Sequence, residues 1–248
     1  MGPHRQAIVV GVLAAAFMFA PPVLRPGSLT VHREFTAPGH SRAGSPTRVA
    51  TTSPAPCSDG AYSLASVKWN QQYNFYIKSS TFPSNVDGDA TISDLRAAAT
   101  NIVRGDNDCN IAADVPATAA YQGTTSTAPN ITTSGGCGTK DGKNVVDFGT
   151  LPSGYLAMTC WWSSNGYIVE ADLRLNKASY GWVTNTTGCS NKWMIEAVAT
   201  HEFGHAFGLN HVSESSHGKL TMSTTINACQ NTESSLGLGD VRGLESKY

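Results

Sequence analysis

Three histidines and a glutamate in the last quarter of the chain have the types and spacing of a metal site. They are His201, Glu202, His205 and His211, within the run H-E-F-G-H-A-F-G-L-N-H. Because His201 and His205 are four residues apart, a helix places both imidazoles on one face, where they can share a metal ion. A straight helix would carry His211 about 15 Å along its axis from His201, far beyond a Zn–N bond of about 2 Å. The helix must therefore end, and the chain must turn back, before His211.

Gly208 stands where that helix has to end. Glycine enters the left-handed conformation that commonly ends helices at little energetic cost. Three histidines with an open fourth position are typical of catalytic zinc, because structural zinc is usually enclosed by four protein ligands. The alternative is an ordinary buried helix with satisfied histidines. Three histidines at this spacing, with Glu202 and Gly208 in register, argue against that alternative.

The chemistry expected of such a site is hydrolysis. A zinc ion lowers the pKa of a bound water towards about 7 and polarises a substrate carbonyl. Glu202, about 100° around the helix from His201, is free to face the water rather than the metal. It can take the proton of the water and pass it to the leaving amine. The residues therefore predict peptide-bond hydrolysis through a zinc-bound water activated by Glu202.

The same run resembles the metzincin signature, H-E-x-x-H-x-x-G-x-x-H. The run Leu220-Thr221-Met222-Ser223 resembles the metzincin Met-turn, with Met222, eleven residues past His211, at the position that packs beneath the metal. The resemblance implies an α+β, zincin-like fold. Such a fold has a twisted mixed sheet with an antiparallel edge strand over the active-site cleft, a backing helix, an active-site helix and a C-terminal helix.

Among metzincins, the chain most resembles a minimal bacterial matrixin. The motif that starts at Gly154 looks like the edge strand that pairs with extended substrate, where main-chain hydrogen bonds give affinity with little sequence preference. The segment 224–228 looks like the wall of the pocket for the side chain after the scissile bond, and 238–248 looks like the C-terminal helix. The residues that this resemblance assigns to substrate binding are Gly154, Tyr155, Leu156, Ala157, Thr224 and Thr225.

Several features depart from the matrixin pattern. Val212 follows the third histidine, where matrixins usually have serine. No histidine lies between His40 and His201, so the structural zinc of animal matrixins has no imidazoles to bind it, and one catalytic zinc is expected. The latency motif P-R-C-G-x-P-D is also absent. Disulfides could brace the upper lobe, the part of the domain that precedes the active-site helix, in place of the second zinc.

The first residues of the 248-residue chain have the shape of a secretory signal. Arg5 precedes an apolar run over 7–20, which is short for a membrane span of about 20 residues. We therefore predict a signal peptide over 1–24, with a retained N-terminal anchor as the alternative. The region 25–56 is rich in Pro, Arg, Ser, Thr and Gly, and predicts a disordered linker or a short pro-segment. The catalytic domain is expected to cover 57–248.

Six cysteines, all at or after Cys57, suggest three disulfides in a chain exported from the cytoplasm. Their connectivity stays open, because six cysteines can pair in fifteen ways. Neighbour pairing is the default hypothesis, and Cys57 is more readily a disulfide partner than a latency switch. The neighbour pairs are Cys57 with Cys109, Cys137 with Cys160, and Cys189 with Cys229.

The remaining pattern gives a coarse secondary structure. The runs 67–70 and 74–77 predict strands, Thr91 to Arg104 predicts a helix, and Ser190 or Asn191 is a candidate cap for the active-site helix. The acidic loop 85–89 matches the first half of a calcium-binding loop but not the second, so calcium is unsupported and helix capping is favoured. Glu170 and Asp172, in a strand-like run, receive no functional role.

These observations favour a secreted zinc endopeptidase that acts on protein or peptide substrates as a monomer. A net charge of −1 gives no indication of a nucleic-acid partner. Retention of the N-terminal segment would instead place the domain on the outer face of a membrane. The competing function is a non-catalytic cell-surface module that binds peptides and retains the metzincin zinc site.

Overall fold

The computed structural model describes residues 28–39 and 55–248, which form one mixed sheet with helices packed against it. The predicted signal segment and much of the region 25–56 lie outside the described residues. The strands are β1 Thr30–Pro38, β2 Ser63–Leu64, β3 Tyr73–Ile77, β4 Ala119–Thr124, β5 Asn144–Gly149, β6 Ala157–Ser164, β7 Tyr167–Asn176, β8 Gly181–Val183, β9 Lys192–Met194, β10 Leu209–Asn210 and β11 Thr225–Ile226. The helices are α1 Gly88–Arg104, α2 Ile195–Ala206, α3 Glu214–His217 and α4 Leu238–Lys247.

The main sheet has seven strands in the order β11-β1-β6-β7-β5-β3-β4. Strands β7, β5, β3 and β4 are parallel to their neighbours in that row, whereas β6 runs antiparallel to β7. Strand β1 is antiparallel to β6 and parallel to β11. This mixed sheet with an active-site helix and a C-terminal helix confirms the predicted α+β class.

Strand β6 is buried on both faces because its side chains alternate between two cores. Ala157 and Trp161 face the larger core, which α1 and α2 cover. Met158, Cys160 and Trp162 face a smaller core beneath the loop that precedes β6. The strand that lines the active site is thus held from both sides.

Helix α1 begins and ends as the sequence predicts, apart from one extra turn at its start. The Asp87 side chain accepts a hydrogen bond from the backbone N–H of Ala90 at 2.8 Å, so this acidic residue caps the helix. At the other end Gly105 has a φ of 62°, in the left-handed region that glycine tolerates best. Helix α1 packs against α2 and supports the active-site helix from behind.

The run 67–70, predicted as a strand, forms only one isolated bridge, between Lys68 and Tyr167. Val67 and Trp69 are buried in the core instead. The indole N–H of Trp69 donates to the backbone carbonyl of Ala206 at 2.8 Å, which satisfies a carbonyl at the end of α2. The apolar residues of the run 67–70 therefore pack under the active-site helix and do not form part of the sheet.

The largest difference from the sequence prediction lies in the region 25–56, for which one alternative was a disordered linker. Within its described residues, 28–39 and 55–56, Thr30–Pro38 is a nine-residue strand inside the main sheet. The run T-V-H-R-E-F-T-A-P contains β-branched and aromatic residues that suit a strand. Composition averaged over the whole region hides this short run. The other alternative, a short pro-segment, stays a prediction.

The structure joins the six cysteines as the neighbour pairs Cys57–Cys109, Cys137–Cys160 and Cys189–Cys229. Their sequence separations of 52, 23 and 40 residues correspond, by the chain-entropy argument, to about 3–4 kcal/mol of stabilisation each. The second of them ties the loop before β5 to the strand that lines the active site. Within 28–39 and 55–248, no helix has the length and apolar character that crossing a bilayer requires.

Candidate active site

Helix α2 carries His201, Glu202 and His205, and all three side chains are fully buried. Strand β9 runs directly into this helix, and the N-cap position is Met194, which makes no side-chain capping bond. The predicted cap at Ser190 or Asn191 is therefore not formed, because those residues precede β9 rather than the helix. Tertiary packing holds this helix in place, since eleven of its twelve residues are buried.

The chain reverses directly after α2, at Gly208. This glycine has a φ of +81°, and its N–H donates to the carbonyl of His205 at 2.8 Å. A Cβ at this position would lie 2.2 Å from Cε of Lys247 and 3.0 Å from the backbone oxygen of Val67. Gly208 is thus needed both for the left-handed turn and for the space that α4 leaves. The turn brings His211 back beside the helix.

Replacement of Gly208 by alanine is expected to destabilise the domain by about 1–3 kcal/mol and to weaken metal binding about tenfold or more. The added Cβ would strain the left-handed backbone and push Lys247 aside, which displaces His211. Denaturant unfolding and zinc competition with a chromogenic chelator measure the two effects. Gly166→Ala, also at positive φ but with no atom within 4 Å of the added Cβ, is the matched control for backbone strain alone. A zinc affinity equal in both variants would contradict the steric account.

The three histidines converge through their Nε2 atoms. The distances between these atoms are 3.0 Å for His201 to His205, 3.0 Å for His201 to His211 and 3.1 Å for His205 to His211. A tetrahedral zinc with bonds of about 2.0–2.1 Å needs nitrogens separated by about 3.3–3.4 Å. A small adjustment of the rings therefore fits the triangle to one zinc ion.

The hydrogen-bond partners of the rings also suit a cation at the centre of the triangle. Nδ1 of His201 faces the carbonyl of Thr221 at 2.7 Å, and Nδ1 of His205 faces that of Leu209 at 2.8 Å. A carbonyl oxygen only accepts, so Nδ1 carries the hydrogen and Nε2 presents its lone pair. Burial lowers the pKa of His201 to about 3 and the pKa of His205 well below its usual value, so both are neutral. Lone pairs that face each other at this distance repel unless a metal ion lies between them.

Glu202 is held beside this triangle by two hydroxyls. Oγ1 of Thr159 donates to its Oε2 at 2.5 Å, and Oγ1 of Thr36 donates to its Oε1 at 2.6 Å. Burial raises the pKa of Glu202 to about 7, and hydrogen bonds from Thr159, from the hydroxyl of Thr36 and from the backbone N–H of Thr36 act in the opposite direction. A carboxyl group poised near neutrality can both accept and donate a proton at physiological pH.

Met222 lies in the predicted turn and is buried against the active-site helix. A Cβ at Gly204 would lie 2.3 Å from Sδ of Met222, so the glycine inside the H-E-F-G-H run makes room for the methionine. The carboxylate of Asp240, in the first turn of α4, accepts from the backbone N–H groups of Thr221 and Met222 at 2.9 and 3.2 Å. The C-terminal helix therefore fixes the turn beneath the histidines.

The residues assigned to substrate binding lie on two segments on either side of β1. Leu156 donates its N–H to the carbonyl of Thr36 at 2.8 Å, and the carbonyl of Thr224 accepts from the N–H of Ala37 at 3.1 Å. The ring of Tyr155 stacks on Phe35, with centroids 4.2 Å apart. Ala157 and Thr225 are the register partners of Thr36 and Ala37. Gly154 has a φ of 94° in the turn before β6, and its N–H donates to the hydroxyl of Tyr180.

Sequence reasoning missed three residues at the site, namely Thr159, Thr36 and Glu34. Oε2 of Glu34 lies 3.4 Å from Nδ1 of His211. Glu34 therefore contacts the ring nitrogen of His211 that does not face the other two histidines. Thr159 lies on a strand that is buried on both faces, where alternation does not mark a functional face. The sequence feature that could have pointed to Thr36 and Glu34 is the strand-like run Thr30–Pro38.

A comparison with known protein families identifies the family of the chain. A family model, described as Matrixin, matches residues 124–248, just over half of the chain. The chain belongs to the matrixins. This confirms the predicted family and the predicted activity class, a zinc metalloendopeptidase with protein or peptide substrates. No individual curated protein matches the chain significantly.

In this matrixin, Glu170 and Asp172 have a structural role, although the sequence analysis gave them none. Oδ1 and Oδ2 of Asp172 accept from the backbone N–H groups of Val145 and Asn130 at 2.8 and 2.6 Å. The carboxylate of Glu170 accepts from the N–H groups of Asp141 and Gly142. These bonds fasten the segment 130–145, which ends in β5, to β7. Together with the Cys137–Cys160 disulfide, they brace the upper lobe of the matrixin.

His217, in the short helix α3, contacts a buried carboxylate and not the histidine triangle. Its Nδ1 lies 2.9 Å from Oδ2 of Asp59, and the Asp59 side chain is only 4% exposed. The contact ties α3 to the segment that follows Cys57. His217 lies outside the histidine triangle and serves the packing of the loops of this matrixin.

Proposed function

We propose that this matrixin is a secreted endopeptidase in which His201, His205 and His211 hold one zinc ion and Glu202 is the general base and acid. The observation that carries the proposal is the convergence of three Nε2 atoms within 3.0–3.1 Å of one another beside the buried Glu202 carboxylate. When bound there, zinc would acidify a water molecule and polarise the substrate carbonyl. The protein supplies the remaining chemistry.

Binding and orientation of the substrate would come from β6 and β11. An extended peptide in the place of β1 could form the main-chain hydrogen bonds that β1 forms with Leu156 and Thr224. Main-chain bonds of this kind bind peptides with little regard to side chains. Such a cleft would hold the scissile carbonyl at a fixed distance from the histidines. The binding energy of the peptide then offsets the entropy that is lost when the reacting groups are oriented.

Glu202 would move two protons in the reaction. It takes one from the attacking water and delivers one to the nitrogen of the leaving amine, and a pKa near the working pH favours both transfers. The hydroxyl of Thr159, at 2.5 Å from Oε2, fixes the carboxylate in the orientation that both transfers require. Thr159 is thus a positioning residue in this proposal.

Export from the cytoplasm is part of the proposal. Three disulfides are stable in an oxidising compartment and rare in the cytosol. The signal segment predicted over 1–24 agrees with export. The direct measurement is whether the native host releases the chain into its medium.

Removal of the metal is expected to abolish peptide hydrolysis and to leave the fold in place. The disulfides and the sheet do not depend on the histidines, whereas the proposed reaction needs the ion. Treatment with a zinc chelator, followed by dialysis and titration with zinc, should restore cleavage of a quenched peptide up to one ion per chain. Full activity in the metal-free protein, or restoration that needs several ions, would contradict the proposal.

A further inference from the structure

A cavity of about 390 Å³ lies between the tip of the β6–β7 hairpin and the last turn of α4. Lys68 and Lys247 both line it, and the rest of its wall comes from 64–67 and 165–167. None of the described residues in this wall is acidic. The cavity, called the lysine pocket below, therefore brings two ammonium groups together without a carboxylate.

The side chain of Lys247 is held inside the protein. Lys247 is only 9% exposed, and its Nζ donates to the carbonyl of Ala65 at 2.7 Å. An ammonium group has three hydrogens to donate, so one carbonyl leaves capacity for a further acceptor. Burial, and then the nearby ammonium of Lys68, lower the pKa of Lys247 to about 8, so most of this group is still charged at neutral pH. Buried charges in proteins are usually paired, whereas this one faces a second cation.

Lys68 is fixed beside it. Its Nζ donates to the backbone carbonyl of Lys247 at 3.0 Å and lies 5.9 Å from the ring centroid of Tyr248. Its own carbonyl accepts from the N–H of Ile168 at 2.9 Å, which ties it to the start of β7. Within 28–39 and 55–248, neither lysine forms an ion pair with a carboxylate. An anion bound between the two ammonium groups would offset their repulsion.

A second cavity, of about 290 Å³, connects the lysine pocket to the histidines. Residues 64–66 belong to the walls of both cavities. The second is also lined by Trp161 on β6 and by Asn210, the residue before His211. One continuous groove therefore leads from the candidate metal site to the two lysines.

The pairing of β6 gives the direction in which a peptide would follow this groove. Strand β1 runs antiparallel to β6, from Thr30 opposite Ser163 to Thr36 in the active site. A peptide in the same place has its earlier residues beside Ser163, just before the hairpin residues 165–167 that line the lysine pocket. Side chains alternate along a strand, so a residue in the place of Thr30 lies on the same face as His32, which lines the second cavity. The N-terminal part of the substrate therefore leads to the lysine pocket.

We propose that the lysine pocket binds an acidic side chain of the peptide substrate, on the N-terminal side of the bond that is cut. The acidic residue takes the position of Thr30 in β1 or an earlier one, because the position of His32 still lies beside the second cavity. Its carboxylate accepts charge-assisted hydrogen bonds from the two ammonium groups. This inference rests on the proposed function and adds a substrate class to it, proteins with an acidic residue several positions before the scissile bond.

The lysine pocket would act on affinity and not on the chemical step. It lies away from the reacting groups, so its contacts are the same in the bound substrate and in the transition state. Such uniform binding lowers KM and leaves kcat unchanged.

The test moves one glutamate along the N-terminal part of a quenched peptide, with Gln or Lys at the same position as references. The zinc-loaded full chain is expected to cleave the best Glu peptide with a kcat/KM about 3–30-fold above that of its Gln counterpart, through a lower KM. The Lys peptide should be the poorest of the three, and the ratios should shrink at about 1 M salt. Strand β1 competes equally with all three peptides. If Glu has no advantage over Gln at any position, the proposal is overturned.

Variants of Lys68 assign the preference to the lysine pocket. Lys68→Gln should remove most of the advantage of Glu, and Lys68→Glu should transfer it to the Lys peptide. Lys143→Gln is the matched control, because Lys143 is also half-buried and its Nζ lies 4.3 Å from the ring centroid of Tyr76, outside the groove. A preference for Glu that survives both Lys68 substitutions would overturn the proposal. Lys247 is left intact, because its stem packs against Gly208.

A free anion offers the two ammonium groups the same chemistry as a side chain. Inorganic sulfate, added at constant ionic strength, distinguishes the two sources. If the ligand is an acidic side chain, sulfate should raise the KM of the Glu peptide more than that of the Gln peptide. Sulfate that binds to the chain while both peptides are cleaved equally well would assign the lysine pocket to a free anion and overturn the proposal.

The two proposals fail in different ways. Cleavage of the Glu, Gln and Lys peptides at equal rates would keep the proposed function and refute the acidic preference. The binding of the same peptides to the Glu202→Gln chain, measured by fluorescence anisotropy, needs no turnover. Tighter binding of the Glu peptide there, lost in Lys68→Gln, together with no cleavage of any peptide by the parent chain, would refute the proposed function and keep the acid-binding pocket. Equal affinity for all three peptides, or no binding of any, would overturn the acid-binding pocket.

Discussion

Replacement of Glu202 by glutamine is expected to lower the turnover of peptide substrates by about 10²–10⁴-fold while zinc stays bound. Glutamine keeps the size of the side chain. Its amide oxygen can accept from one of the two hydroxyls that bond to Glu202 at 2.5 and 2.6 Å, Thr159 and Thr36, and its NH2 group can donate to the other. It cannot take a proton from water, so the loss falls on the chemical step. Steady-state kinetics on the zinc-loaded chain, with zinc content measured in parallel, checks the prediction.

The control for this substitution lies on the same helix. Glu196, in the first turn of α2, accepts a hydrogen bond from the side-chain amide of Asn101 at 3.0 Å. Glu196→Gln removes one carboxylate from α2 without touching the site, and turnover close to that of the parent is expected. A Glu202→Gln enzyme with parental turnover would show that another group is the base. Loss of zinc from that variant would move the effect from catalysis to metal binding.

The sequence was most informative where the chemistry is local. The positions of His201 and His205 follow from the helical repeat, and Gly208 follows from the need to bring His211 back to them. Each of these arguments spans few residues and depends on backbone geometry that all proteins share. The predicted helix α1 has the same basis, since its cap at Asp87 and its end at Gly105 are local features.

The sequence was least informative where the structure depends on distant pairing. Strand β1 is set by its register with β6, in which Arg33 faces Cys160, and nothing near β1 in the sequence indicates that partner. For the same reason the strand predicted as the sheet edge, β6, is covered by β1 in the chain as it stands. Thr159 faces Glu202 because of the packing of α2 against β6, and a strand buried on both faces gives no period from which to read that contact.

The brace of the upper lobe was also beyond sequence reasoning. The absence of histidines upstream of the motif predicted that something other than a second zinc holds the lobe, and disulfides were the expected substitute. The structure adds buried polar contacts from β7, whose acceptors and donors come from residues far apart in the chain. Arg174, on β7, carries a positive charge among these buried contacts, and its replacement has the largest predicted effect on stability.

Replacement of Arg174 by methionine is expected to lower the free energy of unfolding by about 3–5 kcal/mol. Its guanidinium donates from Nε and Nη2 to the two oxygens of Asp147 at 2.8 and 2.7 Å, and from Nη1 to the carbonyl of Ile131 at 2.6 Å. Both partners are buried, with relative exposures of 8% and 2%. Methionine fills much of the same volume but leaves the Asp147 carboxylate uncompensated in the interior. Chemical denaturation monitored by tryptophan fluorescence measures the change.

A second variant separates the uncompensated charge from the loss of packing. Asp147→Asn combined with Arg174→Met removes both charges, so about half or more of the lost stability should return if the buried carboxylate is the main cost. Arg96→Met on the exposed face of α1 is the control for loss of an arginine; its guanidinium lies 5.4 Å from the ring of Tyr121, a contact worth about 0.5–1 kcal/mol. Equal effects of Arg174→Met and Arg96→Met would mean that the buried pair does not brace the lobe. A double variant as unstable as Arg174→Met alone would assign the cost to the unpaired carbonyl of Ile131 and to packing instead.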